Sequence, residues 1–401
     1  MAHNLWLLIK VRLRKGSASA LRKGIIPLTL FIIQIINEGI NILEFSAQEK
    51  SYIWLDSFPL DEGEKRKLLA AAGSATALVR GFENFKGLLI DFQKENVYNN
   101  MRRSLDDGGA YFSAVLSGFE KKGVTPIPFP AQAYPKAWKE FPDAPLVLYA
   151  KGNLELLKKR LFCVVGSRRT PAAALKTGEK IAETLSSQFA ILTGVADGGD
   201  SAAIQGALKG SGEVVCLLAG GFSSLPKGNL DLLQSVAKRG LILAPHAEDV
   251  PARNFSYEWR NKLLAALAEG VLLLGASEKS GALITAKYAE EFKKQIFALP
   301  YPPSSGAGCG CNALIKKGAA LTETAEDVLS FYGLKAAQKT EISLSENERK
   351  ALAFLKDEGE AHLSELAAAT GLPTFKISAV LSSLEMKGLA VKLGGNRFAA
   401  V

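Results

Sequence analysis

Between residues 160 and 300, six short apolar runs alternate with stretches of helical periodicity, and nothing else in the chain narrows its fold as far. The runs are Phe162–Val165, Phe189–Thr193, Val214–Ala219, Leu241–Ala244, Val271–Gly275 and Gln295–Leu299. Helical patterns fill most of the gaps, over Ala172–Leu185, Ser201–Leu208, Leu230–Lys238, Asn261–Ala268 and Ala282–Lys293. Strand, crossover helix and strand, repeated in this way, demand a parallel sheet covered on both faces. Such doubly wound sheets hold their ligands beyond the carboxyl ends of the strands. Chemistry is therefore expected in the loops that follow each run.

This α/β region, an extended Rossmann-like and mostly parallel sheet, is expected over residues 106–335, with different material on either side. Residues 1–105 show helical periodicity without strand alternation, punctuated at Ser57-Phe58-Pro59-Leu60-Asp61 and Ala72-Gly73-Ser74, which predicts a small SAM-like helical domain. Within it, Ile25–Leu43 is apolar but interrupted by Pro27, Gln34, Asn37, Glu38 and Gly39. It reads as buried helix rather than as a membrane span or signal peptide. Residues 336–401 are expected to form a linker and a winged helix. Lys335–Glu341 has linker composition, Ser345-Glu346-Asn347-Glu348 is a capping box, and helical stretches follow over Leu363–Thr370 and Thr374–Lys387. Two short runs around Gly394-Gly395 then suggest a hairpin.

The chain of 401 residues carries a formal charge of +9, a weak pointer to a polyanionic partner. The excess is spread as +4 over residues 1–150, +4 over 151–260, +2 over 261–339 and −1 over 340–401. No tail carries it, so any anion-binding surface must be assembled by folding. Cys163 and Cys216 lie in apolar runs and read as small buried hydrophobes. Cys309 and Cys311 lack a second ligand pair, and His3, His246 and His362 are scattered, so no metal or other cofactor is expected. The cytoplasm is the expected location.

Five loops are candidates for chemistry. Gly166-Ser167-Arg168-Arg169-Thr170 joins a strand end to a helix start, where amides and guanidiniums can converge on a phosphate. In Thr193–Ser201, Gly194 and its neighbouring glycines allow close backbone approach. There Asp200 is expected to cap the next helix, with contact to a ribose or base edge as the alternative. Arg260, Asn261 and Lys262 open the next helical pattern and offer two cations around an amide. Ser280-Gly281 begins another helix beside Lys279, with Thr285 on its first turn, and Asn312 resembles an N-cap. The dinucleotide fingerprint and the Walker-A loop are both absent, and no Ser-His-Asp set or paired carboxylates stand out. Several anion cradles without an evident catalytic group favour binding over turnover.

Taken in order, these motifs resemble the DprA/Smf family, DNA-processing proteins of natural transformation. The resemblance rests on Gly166–Thr170, Thr193-Gly194-Val195-Ala196 with Gly198 and Asp200, Leu225-Pro226 with Asn229, Arg260-Asn261-Lys262, Ser280–Ala286, and Asn312 with Leu314-Ile315 and Gly318-Ala319. Tyr134-Pro135 and Pro145–Asn153 form a similar lead-in. It implies a homodimer that binds single-stranded DNA and helps load the RecA recombinase. Arg168, Arg260 and Lys262 would then contact the DNA backbone, and Gly166, Ser167, Ser280 and Gly281 would supply amides. Asp197, Gly199, Ile204 and Leu225 depart from the family pattern, which has Arg, Ile, His and Tyr there. One of Phe255, Tyr257 and Trp259 is a candidate to stack on a base. Two other readings stay open. One is a nucleotide-processing enzyme like the LOG-type phosphoribohydrolases, whose Pro-Gly-Gly-x-Gly-Thr stretch is missing here. The other is a duplex-DNA regulator acting through Thr374, Lys376 and Ser378 of the winged helix.

Overall fold

The computed structural model describes residues 45–225, 227–246, 250–336, 344–387 and 389–400. The expected helix at Ile25–Leu43 and most of the expected linker lie outside these residues. Two compact units divide between Glu323 and Thr324. No helix among the described residues is long and apolar enough to cross a membrane.

The described residues of the first unit begin with six α-helices: α1 (Ala47–Asp56), α2 (Glu62–Ala72), α3 (Ala75–Arg80), α4 (Lys86–Asp91), α5 (Glu95–Asp106) and α6 (Ala110–Lys121). The punctuation read from the sequence sets the first boundaries. Asp61 caps α2 in a reciprocal box with Glu64, Gly73 ends that helix in the left-handed region at φ 77°, and Ser74 caps α3. These helices enclose a core of their own around Trp54, Leu68, Phe82, Leu89 and Tyr98. A buried polar link ties them to the sheet. Tyr149 Oη donates to Asp56 Oδ2 at 2.5 Å, and Lys65 Nζ pairs with Asp56 Oδ1 at 2.6 Å.

Nine strands follow: β1 (Thr125–Pro128), β2 (Val147–Gly152), β3 (Leu161–Val165), β4 (Ala190–Thr193), β5 (Val214–Leu217), β6 (Leu241–Ala244), β7 (Gly270–Leu273), β8 (Gln295–Ala298) and β9 (Ala320–Leu321). Their order in the sheet is β1-β2-β6-β5-β4-β3-β7-β8-β9. Every pairing from β6 through β9 is parallel, whereas β1 and β2 run antiparallel at one edge. All five residues of β3 are buried, as a strand covered on both faces requires. The crossover helices are α7 (Ala172–Leu185), α8 (Gly199–Lys209), α9 (Leu230–Arg239), α10 (Asn254–Leu267), α11 (Ala282–Glu291) and α12 (Cys309–Lys316). The expected runs and helices are all present, and α10 alone begins well before its expected start. Seven residues separate its observed start at Asn254 from the expected one, because its inward positions begin with Ser256 and Arg260, which hide the apolar period.

The second unit holds α13 (Ala325–Phe331), α14 (Glu346–Glu358), β10 (Glu360–His362), α15 (Leu363–Thr370), α16 (Thr374–Met386), β11 (Ala390–Lys392) and β12 (Arg397–Ala400). From α14 onward this is the expected winged helix, with the hairpin turning at Gly394–Asn396. The strand β10 adds a third member to its sheet. Leu352, Leu355, Leu366, Ile377, Leu381, Leu384 and Phe398 fill the core.

Glu348, from the capping box, also fastens α14 to the end of α16. Its carboxylate accepts from Lys387 Nζ at 2.5 Å, from Ser383 Oγ at 2.6 Å and from the Ser345 amide at 2.7 Å. The Lys387 hydrogen bond, followed by the Ser383 one, lowers the Glu348 pKa to about 2. A carboxylate acidified by folding contributes stability above its unfolded pKa of about 4.3 and loses it as pH falls toward the folded value. Amide protection factors in α14 and α16, taken against the intrinsic exchange rate at each pH, should therefore fall progressively from about pH 5 to pH 2, and Glu348→Gln should flatten that dependence.

Candidate nucleic-acid interface

Strand β3 is the place where the order of the sheet reverses, with β4 on one side and β7 on the other. Crevices at such switch points are where doubly wound sheets take ligands. Here the loops after β3, β4 and β7, together with α10, surround a cavity of about 510 Å³. Ten of the thirteen candidate residues line it: Gly166, Ser167, Arg168, Arg169, Asp200, Arg260, Asn261, Ser280, Gly281 and Thr285. Tyr257, Ser277 and Lys279 complete much of the wall.

Backbone amides contribute less than the sequence suggests. The Ser167 amide donates to Gly275 O at 2.9 Å, the Ser280 amide to Ser277 O at 3.0 Å, and the Gly166 amide lies 3.4 Å from Asp200 Oδ1. The Ser167 hydroxyl accepts from the Arg169 amide at 3.0 Å. Three of the four expected amide donors are thus engaged, those of Gly166 and Ser167 in holding loops to one another and that of Ser280 within its own turn. Positive charge comes instead from side chains. Arg168, Arg169 and Lys279 are exposed, line the cavity, and have no carboxylate partner among the described residues.

Asp200 and Arg260 do different work from that expected. Gly198, not Asp200, is the N-cap of α8. The Asp200 side chain turns inward, accepting from the Gly166 amide and from the Ala196 amide at 3.3 Å. Asp200 Oδ2 lies 3.8 Å from Arg260 Nη1, and both side chains are under 8% exposed. Arg260 Nη1 also donates to Leu217 O at 3.3 Å. Burial raises the Asp200 carboxyl, and the Arg260 charge opposes that rise. Arg260 is therefore a buried tie between α10, β5 and the loop after β4 rather than a surface phosphate contact. Gly194 belongs to the same arrangement. It does not line the cavity, and a side chain there would overlap Arg260 Nη1 and Asp200 Oδ2. Gly199 is equally confined, since its backbone lies against Gly166.

Two further candidates lie away from the cavity. Lys262 extends toward the lead-in segment, pairing with Asp143 at 2.9 Å and lying 5.1 Å from the Phe141 ring centre. Asn312 is the fourth residue of α12, not its cap. Its amide donates to Tyr301 O at 2.8 Å and its Oδ1 accepts from the Tyr301 amide at 3.0 Å, so it pins the connection after β8. Among the three aromatic candidates only Tyr257 lines the cavity, its ring 6.0 Å from the Arg260 guanidinium carbon. Trp259 packs against His246, and Phe255 is exposed away from the cavity. Lys279, expected beside the Ser280-Gly281 loop, and Tyr257, one of three stacking candidates, both lie on the cavity wall.

The helix α16 presents Phe375, Ala379, Ser382 and Met386 to solvent, the first 73% and the last 84% exposed. Lys350, Lys387 and Arg397 of the same module are paired with Glu346, Glu348 and Glu360. That face carries no guanidinium or carboxamide to read a major groove.

Comparison with known proteins covers both units. Residues 126–333 match the family model for DNA recombination-mediator protein A, and residues 335–396 match the DprA winged helix domain. The DNA processing protein DprA of Bacillus subtilis is 32% identical over 233 residues, 57% of this chain and 77% of that one. Its counterpart from Streptococcus pneumoniae is 35% identical over 200 residues, 50% of this chain and 71% of that one. The X-ray structure of the Streptococcus pneumoniae DprA superposes with a TM-score of 0.59 at 28% identity, covering 72% of this chain and 98% of that one.

Breaking a buried charge pair leaves the survivor uncompensated, at a cost of about 3–5 kcal/mol. Asp200→Ala should destabilise the protein by roughly that amount in denaturant unfolding. Arg168→Ala, at an exposed and unpaired position, should stay within about 0.5 kcal/mol of the unsubstituted protein.

Proposed function

The chain belongs to the DNA recombination-mediator protein A (DprA/Smf) family, and from that premise we propose that it binds single-stranded DNA at the switch-point cavity. One observation carries the reading: Arg168, Arg169 and Lys279 rim a single concavity and form no ion pair among the described residues. A strand with unstacked bases can follow such a rim with its phosphates and still lower part of itself into the cavity. A duplex keeps its bases stacked and paired and offers the cavity nothing of matching shape.

Binding rather than turnover fits the wall chemistry. Asp200 is the only carboxylate among the described residues lining the cavity, and no His or Cys joins it. Both Asp200 oxygens are engaged, so no group stands ready as a general base. This weighs against the phosphoribohydrolase reading. The charge balance of −1 over residues 340–401 weighs against a duplex regulator. Family membership supports three further proposals: pairing of two copies, delivery of the bound strand to the RecA recombinase, and action in the cytoplasm.

Binding to labelled oligonucleotides across a salt series tests the reading. Three neutralised phosphates on a single strand give a log–log salt slope of about −2. Arg168→Ala should weaken binding strongly and make the slope shallower by about 0.7, whereas Lys376→Ala should change neither. Truncation after residue 343 should leave most of the single-strand affinity in place. Equal affinity for duplex, or a flat salt response, would sink the proposal.

A further inference from the structure

The turn that carries Arg168 and Arg169 is closed on itself. The Thr170 amide and hydroxyl both donate to Ser167 O, at 3.2 and 2.8 Å, and the Ser167 hydroxyl accepts from the Arg169 amide. Such a turn moves as one piece, so its placement depends on what holds its ends. On one side the Gly199 amide donates to Ser167 O at 3.3 Å. On the other the Ser167 amide donates to Gly275 O, just past β7, at 2.9 Å. Gly275 is the middle one of three successive residues whose carbonyls are all engaged by other elements. Leu274 O accepts from Tyr301 Oη at 2.5 Å, and Ala276 O accepts from the Gly310 amide of α12 at 2.9 Å. The same strand tip leads on through Ser277 to Lys279. The spacing between Arg168 and Arg169 on one loop and Lys279 on the other is therefore set at Leu274–Ala276.

Of the three donors to that tip, Tyr301 alone acts through its side chain, and it is itself held firmly. Asn312 pairs with its amide and its carbonyl, and a side chain at Gly308 would overlap its ring. Its hydroxyl lies against Gly275, where an added Cβ would sit 2.8 Å from it. Burial, with a smaller contribution from Cys311, pushes that hydroxyl up to about 12, so it stays a donor at neutral pH. Tyr301 does not line the switch-point cavity; it lines a separate one of about 530 Å³ with Pro171 and Thr177. Resting on the single-strand reading above, we propose that Tyr301 is a positioning residue for phosphate binding: its hydroxyl fixes the tip of β7 and, through Gly275, the distance between the two cation-bearing loops. Successive phosphates are tethered at intervals set by the sugar–phosphate chain. Cations already held at matching intervals bind them without first being ordered. Loss of the hydroxyl leaves every cation present but lets the two loops drift apart.

The test is a double-mutant cycle in the full chain between Tyr301→Phe, which removes only the hydroxyl, and Arg168→Ala. It is read by binding to a thymidine oligonucleotide across a salt series. Tyr301→Phe should weaken binding about fivefold, the worth of one hydrogen bond. It should leave the salt slope at about −2, because no cation is lost. With Arg168 already replaced, the same substitution should cost less than about twofold in affinity, since a cation it aligns is gone. Denaturant unfolding of the four proteins checks that each is folded, and the stability change from Tyr301→Phe should be equal in both backgrounds. Unsubstituted protein that binds the strand no better than Tyr301→Phe overturns the positioning role and leaves single-strand binding standing. An equal loss of affinity with and without Arg168 assigns Tyr301 to the stability of the fold alone and also overturns the proposal. Failure of the unsubstituted protein to bind the strand overturns both readings.

Discussion

The arrangement of this molecule turns on a charge pair buried beneath the switch point. Asp200 and Arg260 face each other at 3.8 Å, in surroundings where an isolated charge would be very costly. What makes the pair tenable is the set of main-chain groups around it. The Gly166 and Ala196 amides point at the carboxylate, and Leu217 O receives the guanidinium. These groups come from the ends of β3, β4 and β5, so satisfying the pair fixes three loops relative to one another. Gly194 and Gly199 are small for the same reason, because the backbone must reach the pair and its neighbours. Remove either charge, and the other becomes a buried ion among loops with nothing left to converge on.

With that pair closed beneath them, the remaining cations of the site face outward. Arg168, Arg169 and Lys279 have no acidic partner among the described residues and converge on one concavity, while in the winged helix Lys350, Lys387 and Arg397 are paired and Lys376 and Lys392 stand exposed. A net charge of +9 says little by itself about where a polyanion will settle. Which lysines and arginines already have partners says much more. Lys262 and Arg260 count fully toward composition, yet one is held by Asp143 and the other lies under the loops.

The same distinction separates what could be read from the sequence from what could not. Strands β3 to β7 were legible because burial on both faces makes each a continuous apolar run. The edge strand β1 is Thr-Pro-Ile-Pro, and its two prolines, acceptable at a sheet edge, erase the local signature. The early turns of α10 were illegible because their inward positions are polar. Within the site, the loops and their small residues announced themselves. The state of their hydrogen-bonding groups did not, because Ser167 finds its partner at Gly275, and Asn312 finds its own at Tyr301, only after folding. A motif can place a serine or an asparagine at a strand tip, but whether its donor is still available depends on the neighbouring strand.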